Sequence, residues 1–229
     1  DYSGWQIQGN AKTVQQVLKE AIEQIIQQEI NLIGSGRTDA GVHAFGQVAN
    51  FTISKNLDLY KFNHSLNSVL PSDISVIEID EVDEKFHSRF DAKKRSYLFI
   101  ISKEKSPFYF RYSYLHKNDL DLNKLNHLSK FFLGENDFTS FCKVSTEGGS
   151  KICNVFEAQW RKSKNIYLFR IEANRFLYGM VRAIVGTLLR AIQVENPEKY
   201  IKEIIKIKNR ESAADAAPAK GLFLLKVKY

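Results

Sequence analysis

The 229-residue chain is 44% apolar and 12% aromatic, and its 33 Lys and Arg against 26 Asp and Glu leave a formal net charge of +7. This composition excludes a weakly hydrophobic disordered chain, and the charge suits a polyanionic partner and a merely soluble basic protein equally. No apolar run reaches the roughly 18 residues of a membrane span. The two cysteines, Cys142 and Cys153, form no CxxC pair, and the five histidines form no HxxxH or HxH. The cysteines therefore read as packing residues of a reducing compartment, and a metal site has little support. The segment Asp1-Tyr2-Ser3-Gly4-Trp5 lacks signal-peptide character, so a cytoplasmic location is expected.

Thr13 followed by Gln16 has the form of a capping box, and Val14, Val17, Leu18, Ala21, Ile22, Ile25 and Ile26 then recur at helical spacing. An amphipathic helix is predicted over residues 13–28. Residues 30–33 read as a short β-type run, and the glycines after it make residues 34–44 a loop. Alternation of Phe45, Ala49, Phe51 and Ile53 predicts a strand over 45–53 with one buried face. Residues 57–70 are expected to be helical and to stop before Pro71, and 74–82 to return to strand.

Residues 95–102 alternate Tyr97, Phe99 and Ile101 with Leu98 and Ile100. Both sets are apolar, which predicts a central strand covered on both faces. A helix through Leu122, Leu125, Leu128, Phe131 and Phe132 is closed by Gly134. Residues 152–160 and 165–172 pair as strands, and 180–192, apolar around its circumference, is a buried helix. A helix over 197–207 precedes a closing strand over 222–229. The alternation lacks regular βαβ spacing and favours an α+β fold with a mixed or antiparallel sheet and helices on one side. The clusters Lys93-Lys94-Arg95 and Arg161-Lys162-Ser163-Lys164 read as solvated charges that discourage edge pairing.

The densest stretch is Gly34-Ser35-Gly36-Arg37-Thr38-Asp39-Ala40-Gly41-Val42-His43-Ala44. It lacks the Gly-Lys-Ser/Thr of a P-loop, and Asp39 stands where a dinucleotide fingerprint needs glycine. Its glycines instead place the Asp39 carboxylate between a permanent cation, Arg37, and an imidazole, His43. A turn-capping aspartate is the structural alternative, a non-catalytic RNA-binding module or a cofactor-dependent enzyme the functional ones.

The run resembles the signature of the tRNA pseudouridine synthases of the TruA family. Gly4-Trp5-Gln6, Leu70-Pro71-Ser72-Asp73-Ile74, Phe86-His87-Ser88-Arg89-Phe90, Asp137-Phe138-Thr139-Ser140-Phe141, Met180-Val181-Arg182-Ala183-Ile184-Val185-Gly186 and Ala217-Pro218-Ala219-Lys220-Gly221-Leu222 look like further family blocks in family order. Ser35 stands where the family more often has alanine, and Phe99 where tyrosine is frequent. Family members usually carry a strand before the Gly-Trp-Gln block, so that strand is expected to be cut short or supplied differently.

The resemblance implies a pseudouridine synthase fold of two ferredoxin-like halves, residues 1–86 with the catalytic loop and residues 87–229, with a cleft between them. It implies isomerisation of uridine to pseudouridine at tRNA positions 38, 39 and 40 by a homodimer with no cofactor. Asp39 would be the nucleophile, Tyr97 the ring beside the uracil, Arg182 the cation paired with the carboxylate, and Leu222 part of the uracil pocket. Arg37 and His43 would hold the displaced strand. An aspartate can act as a covalent nucleophile without metal, and attack at C1′, attack at the base and proton removal from the sugar are all open to it.

Overall fold

The computed structural model describes residues 2–143 and 149–229. They form two compact units, Asp1–Gly41 with Gln47–Ala92 and Val42–Gly46 with Lys93–Tyr229. Among the described residues no helix is long and apolar enough to cross a membrane.

In the first unit, helix α1 (Val14–Ile26) begins as its capping residues predict, with the Thr13 hydroxyl accepting from the Gln16 amide at 3.3 Å. Gln16 turns its own side-chain amide along the helix to Glu20. The chain then forms β1 (Ile33–Gly34) and, at the end of the stretch expected to be a loop, β2 (His43–Ala44), whereas the strand expected over 45–53 is reduced to β3 (Ala49–Asn50). Gly46 lies between β2 and β3. The amides of Phe45 and Gly46 both donate to Leu224, and a β-carbon on Gly46 would lie 2.7 Å from the Leu225 carbonyl oxygen. β2 accordingly belongs to the second unit, whereas β3 pairs antiparallel with β1 in the first. Phe45, expected on the buried face, is instead exposed.

Helix α2 (Leu59–Val69) is capped by Asp58, whose side chain accepts from the Lys61 amide, and ends at Leu70 before Pro71. Its Phe62 and Leu66 pack with Ala21, Ile22 and Ile26 of α1 and with Ile30, Leu32 and Leu70 to form the unit's core. The strand expected over 74–82 is not formed. Its backbone bonds go to α2 side chains instead: Asn67 donates to the Val76 carbonyl and accepts from the Val76 amide, both at 2.8 Å. Ile74, Val76 and Ile79 still reach the core, so the apolar pattern records burial without a ladder.

The second unit contains β4 (Lys94–Ser102), β5 (Tyr114–Leu115), α3 (Leu122–Ser129), β6 (Gly134–Asp137), β7 (Ile152–Ser163), β8 (Ile166–Ala173), α4 (Met180–Ala191), α5 (Pro197–Ile207) and β9 (Leu222–Lys228). Seven strands make one mixed sheet in the order β2-β9-β4-β8-β7-β6, with β5 beside β4. The β2/β9 and β4/β5 pairs are parallel and the rest antiparallel. The α+β class with a mixed sheet is thus as expected. α3 stops at Ser129 and tightens into a 3₁₀ turn over Lys130–Phe132 before Gly134, at φ +80°, opens β6.

Tyr97, Phe99 and Ile101 of β4 and Tyr167, Phe169 and Ile171 of β8 are buried on one face, where Trp160 stacks on Phe169 and donates its indole N–H to Ser129 of α3. Leu98 and Ile100, on the other face, are only half-buried, so β4 is central but not covered equally on both sides. Nine α4 residues are buried. The exceptions, Arg182, Gly186 and Arg190, form one stripe at four-residue spacing. Cys142 and Cys153 are buried free thiols, and burial pushes the Cys153 thiol up to about 11.

The first basic cluster is not at an edge, because β4 pairs on both sides. Its charge is used internally. Lys94 and Lys228 place their ammonium groups 3.4 and 2.9 Å from the buried Glu172 carboxylate, and the Ser96 hydroxyl donates to it at 2.8 Å. Burial by itself would push this carboxyl up, but the hydrogen bonds from Lys228 and Ser96 and the charges of the lysines outweigh it and hold the group at about 2. An unfolded glutamate titrates near ~4.3, so the resulting stabilisation is complete above that pH and is lost as pH falls toward 2. Glu172→Gln is expected to cost on the order of 2 kcal/mol at neutral pH, allowing for solvent around the lysines. Its Tm deficit against the native protein should close between pH ~4.5 and ~2 in acid melts; a deficit that stays constant would refute the assignment.

Candidate active site

The expected site residues fall into two sets, Arg37 and Asp39 in the first unit and His43, Tyr97, Arg182 and Leu222 in the second. The Asp39 loop is held from two directions. On one side, Gly4 at φ +84° lies so close that a β-carbon there would be 2.2 Å from the Thr38 carbonyl oxygen, and the Trp5 amide donates to that same oxygen at 3.2 Å. The Trp5 ring fills the space beside Gly34, where a β-carbon would meet its indole nitrogen at 2.3 Å. The glycines and tryptophan of two distant sequence blocks are thus one packed contact.

On the other side, the buried Ser35 donates its hydroxyl to Gln47 at 2.7 Å and its amide to the Val48 carbonyl, while Gln47 Nε2 donates to the Gly36 carbonyl at 2.9 Å. β1 is secured in turn by the Ser88 hydroxyl, which donates to the Ile33 carbonyl, and by Asn50, whose side chain accepts from the Ser88 amide. Residues 37–39 thus run between anchored ends, with Arg37 exposed and Asp39 half-buried. Gln47 and Ser88 are positioning residues that the sequence does not mark as such. A lone glutamine in an alternating stretch carries no sequence signal, whereas Ser88 lies in the Phe-His-Ser-Arg-Phe block.

In the second unit, Tyr97 and Leu222 share one face of the β4/β9 pair, where Tyr97 faces Leu224 and Phe99 faces Leu222. Same-face diagonal neighbours in antiparallel strands are within reach of long side chains. Tyr97 is buried and meets the edge of Phe176 with ring centres 5.0 Å apart. A register shift between Ser96 and Tyr97 re-aims the strand at this point. Arg182 is fastened to the segment before β9. Its Nε donates to the Ala217 carbonyl at 2.7 Å, and the Ala217 amide donates back to the Arg182 carbonyl at 3.0 Å. Gly186, one turn on, lets that segment close in: a β-carbon there would lie 1.9 Å from the Asp215 carbonyl oxygen.

His43 is not on the face of Tyr97. It is paired with Phe223, which alternates with Leu222 and Leu224, and its ring stacks on Phe223 at 4.8 Å. Its Nε2 lies 3.1 Å from the Arg111 carbonyl oxygen and its ring 5.1 Å from Tyr112. Asp137, from another family-like block, has a local task. Hydrogen bonds from the Thr139 hydroxyl and from Lys208, outweighing burial, hold its carboxyl at about 2 and cap the turn that buries Phe138 and Phe141. Among the described residues no three His, Cys, Asp or Glu side chains gather as a metal site.

The family whose sequence model is described as tRNA pseudouridine synthase matches residues 1–91 and 128–229. The tRNA pseudouridine synthase A of Thermoanaerobacter sp. (strain X514) is 39% identical over 231 residues, which cover 100% of this chain and 95% of that protein. The protein of the same name from Bacteroides fragilis is 40% identical over 230 residues, covering 100% and 91%. That from Brachyspira hyodysenteriae is 41% identical over 228 residues, covering 97% and 91%.

Gly4→Ala tests the clamp on the loop. The left-handed backbone alone costs ~1–2 kcal/mol in a non-glycine residue, and the Thr38 carbonyl must also move. Hydrogen exchange at residues 35–41 is expected to accelerate while the second unit keeps its protection; unchanged exchange in the loop would show that the close approach does not hold it.

Proposed function

Because the chain belongs to the tRNA pseudouridine synthase family and is thereby an isomerase, we propose that it converts uridine to pseudouridine in the anticodon stem-loop of tRNA, at positions 38, 39 and 40. Asp39 acts as nucleophile, with no metal or nucleotide cofactor. The observation that carries this reading is the anchored loop: a carboxylate between glycines, its backbone held by Trp5 and Gln47, in a chain resembling such enzymes along its whole length. The same reading makes the working form a cytoplasmic homodimer in which residues 1–86 and 87–229 act as one catalytic unit.

The chemistry asks little beyond what side chains supply. The N1–C1′ bond breaks, the detached uracil turns, C5 bonds to C1′, and the C5 proton is lost as N1 gains one. Substrate and product have the same atoms, so no oxidant, reductant or second substrate is consumed. A carboxylate can bond covalently to an intermediate while the base reorients. Arg182, taken from the resemblance as the partner of Asp39, keeps the carboxylate ionised through its opposite charge. Its Nε bond to Ala217 supports that role by fixing the guanidinium's direction. Tyr97 offers a ring to the uracil and Leu222 an apolar wall. The target nucleotide has to leave its stack first, at a cost of a few kcal/mol. Exposed Arg37 suits holding the displaced strand. His43, stacked on Phe223, is better suited to anchoring residues 111–112.

Asp39→Asn is expected to bind unmodified tRNA like the native protein and to form no pseudouridine when the product is mapped by nucleotide. Product at near-native rate would overturn the nucleophile assignment, and absence of product from the native protein would overturn the reaction. Arg182→Met should lower kcat by a factor of ~10–100, in line with loss of a charge partner, with KM for tRNA little changed. A change confined to KM would assign Arg182 to binding instead.

A further inference from the structure

Residues 105–117, Lys-Ser-Pro-Phe-Tyr-Phe-Arg-Tyr-Ser-Tyr-Leu-His-Lys, contain five Phe and Tyr and three Lys and Arg but no carboxylate. They lie within the stretch between the two matched parts of the family model. Four of the rings face solvent: Phe108 is 80% exposed, Phe110 54%, Tyr109 53% and Tyr112 49%. An isolated exposed aromatic needs no explanation, but four in five residues form a patch of the kind that marks a binding surface.

The backbone beneath these rings is firmly held. The Ser106 hydroxyl accepts from the amides of Phe108 and Tyr109, and the Ser113 hydroxyl donates to the Tyr109 carbonyl at 2.8 Å. Lys220 donates to the Phe110 carbonyl at 2.9 Å, and His43 meets the Arg111 carbonyl. The exposure is thus a property of a built loop. Arg111 lies over the Phe110 ring at 5.5 Å. From Tyr112 the rings continue through His43 and Phe223 to exposed Phe45, with successive centres 5.1, 4.8 and 5.1 Å apart. His43 follows Asp39 by four positions in the chain.

We propose that Phe108, Phe110, Arg111 and Tyr112 form a stacking platform for unpaired nucleotides of the RNA substrate, outside the residues that carry the reaction. The proposal rests on the tRNA reading above. Aromatic rings interleaved with cations are what single-stranded RNA requires, because every base has a face to stack and every nucleotide a phosphate to neutralise. The absence of any carboxylate from residues 105–117 favours this polyanion over a protein partner. A second copy of the chain, the other occupant an aromatic patch could take, would bring the same positive loop against itself if the patch met its own counterpart.

The test compares the native protein with Phe108→Ala/Phe110→Ala, with Phe108→Trp, and with Arg111→Ala, measuring pseudouridine formation on unmodified tRNA and sedimentation of each protein. Loss of stacking should raise KM for tRNA about tenfold in the double alanine variant with kcat within about twofold, while Phe108→Trp stays near native. Arg111→Ala should reduce the salt dependence of log KM by about one unit of slope. Unchanged KM in the double variant overturns the platform. So does a fall in sedimentation coefficient that accounts for the loss of activity, which would assign the patch to self-association. Inactivity of the native protein would instead be a failure of the underlying reaction, a result the native control reveals by itself.

Discussion

The backbone of Gly4 lies so near Thr38 that no side chain fits between them, and much of the first unit is arranged around that contact. The carbonyls of Gly4 and Trp5 accept from the amides of Val14 and Gln15, so the turn that clamps the Asp39 loop also receives the start of α1. Gln15 reaches from the helix to the Leu32 carbonyl, and Trp5 packs on Gly34. Loop, helix and β1 therefore form one block, and displacement of any of them is felt by the carboxylate. Close approach of this kind tolerates little adjustment because packed interiors have few voids into which atoms can move.

Helices were the most legible part of the sequence. Thr13, Asp58 and Pro197 announce their starts, and Pro71 closes α2, because caps and proline act through local geometry that any fold must respect. Strands were less legible. The apolar alternation over 74–82 reports contact with α1 and α2, but Asn67 captures the backbone groups that a neighbouring strand would have used. Of the stretch 45–53 only Ala49–Asn50 is strand; at Gly46 a carbonyl from a segment some 180 residues away excludes a side chain, and nothing local signals that neighbour.

The candidate site was readable as residue types and only partly as places. Asp39 and Arg37 stand out because glycines surround them. Tyr97 reads as one more core aromatic on alternation alone, and burial agrees with that description as well as with a pocket role. His43, adjacent to the loop in sequence, lies on the face of the sheet away from Tyr97, since paired β2 and β9 residues point the same way and Phe223 alternates with Leu222. Charge was similarly ambiguous. Lys94 and Lys228 count toward the net +7 but are committed to Glu172, so the surplus available to RNA is set by where cations lie as well as by their number.

β9 is the last strand along the chain, yet it lies between β2 and β4 inside the sheet. During ribosomal synthesis β2 emerges early and has no ladder partner until residues 223 and 224 appear. The short segment after the Asp39 loop must therefore wait, unpaired, while the intervening residues 45–222 are made. Contacts of such long sequence separation are slow to close. The order of synthesis delays the completed arrangement around residues 42–46 until β9 has emerged, so a nascent chain that stalls short of β9 lacks the finished sheet.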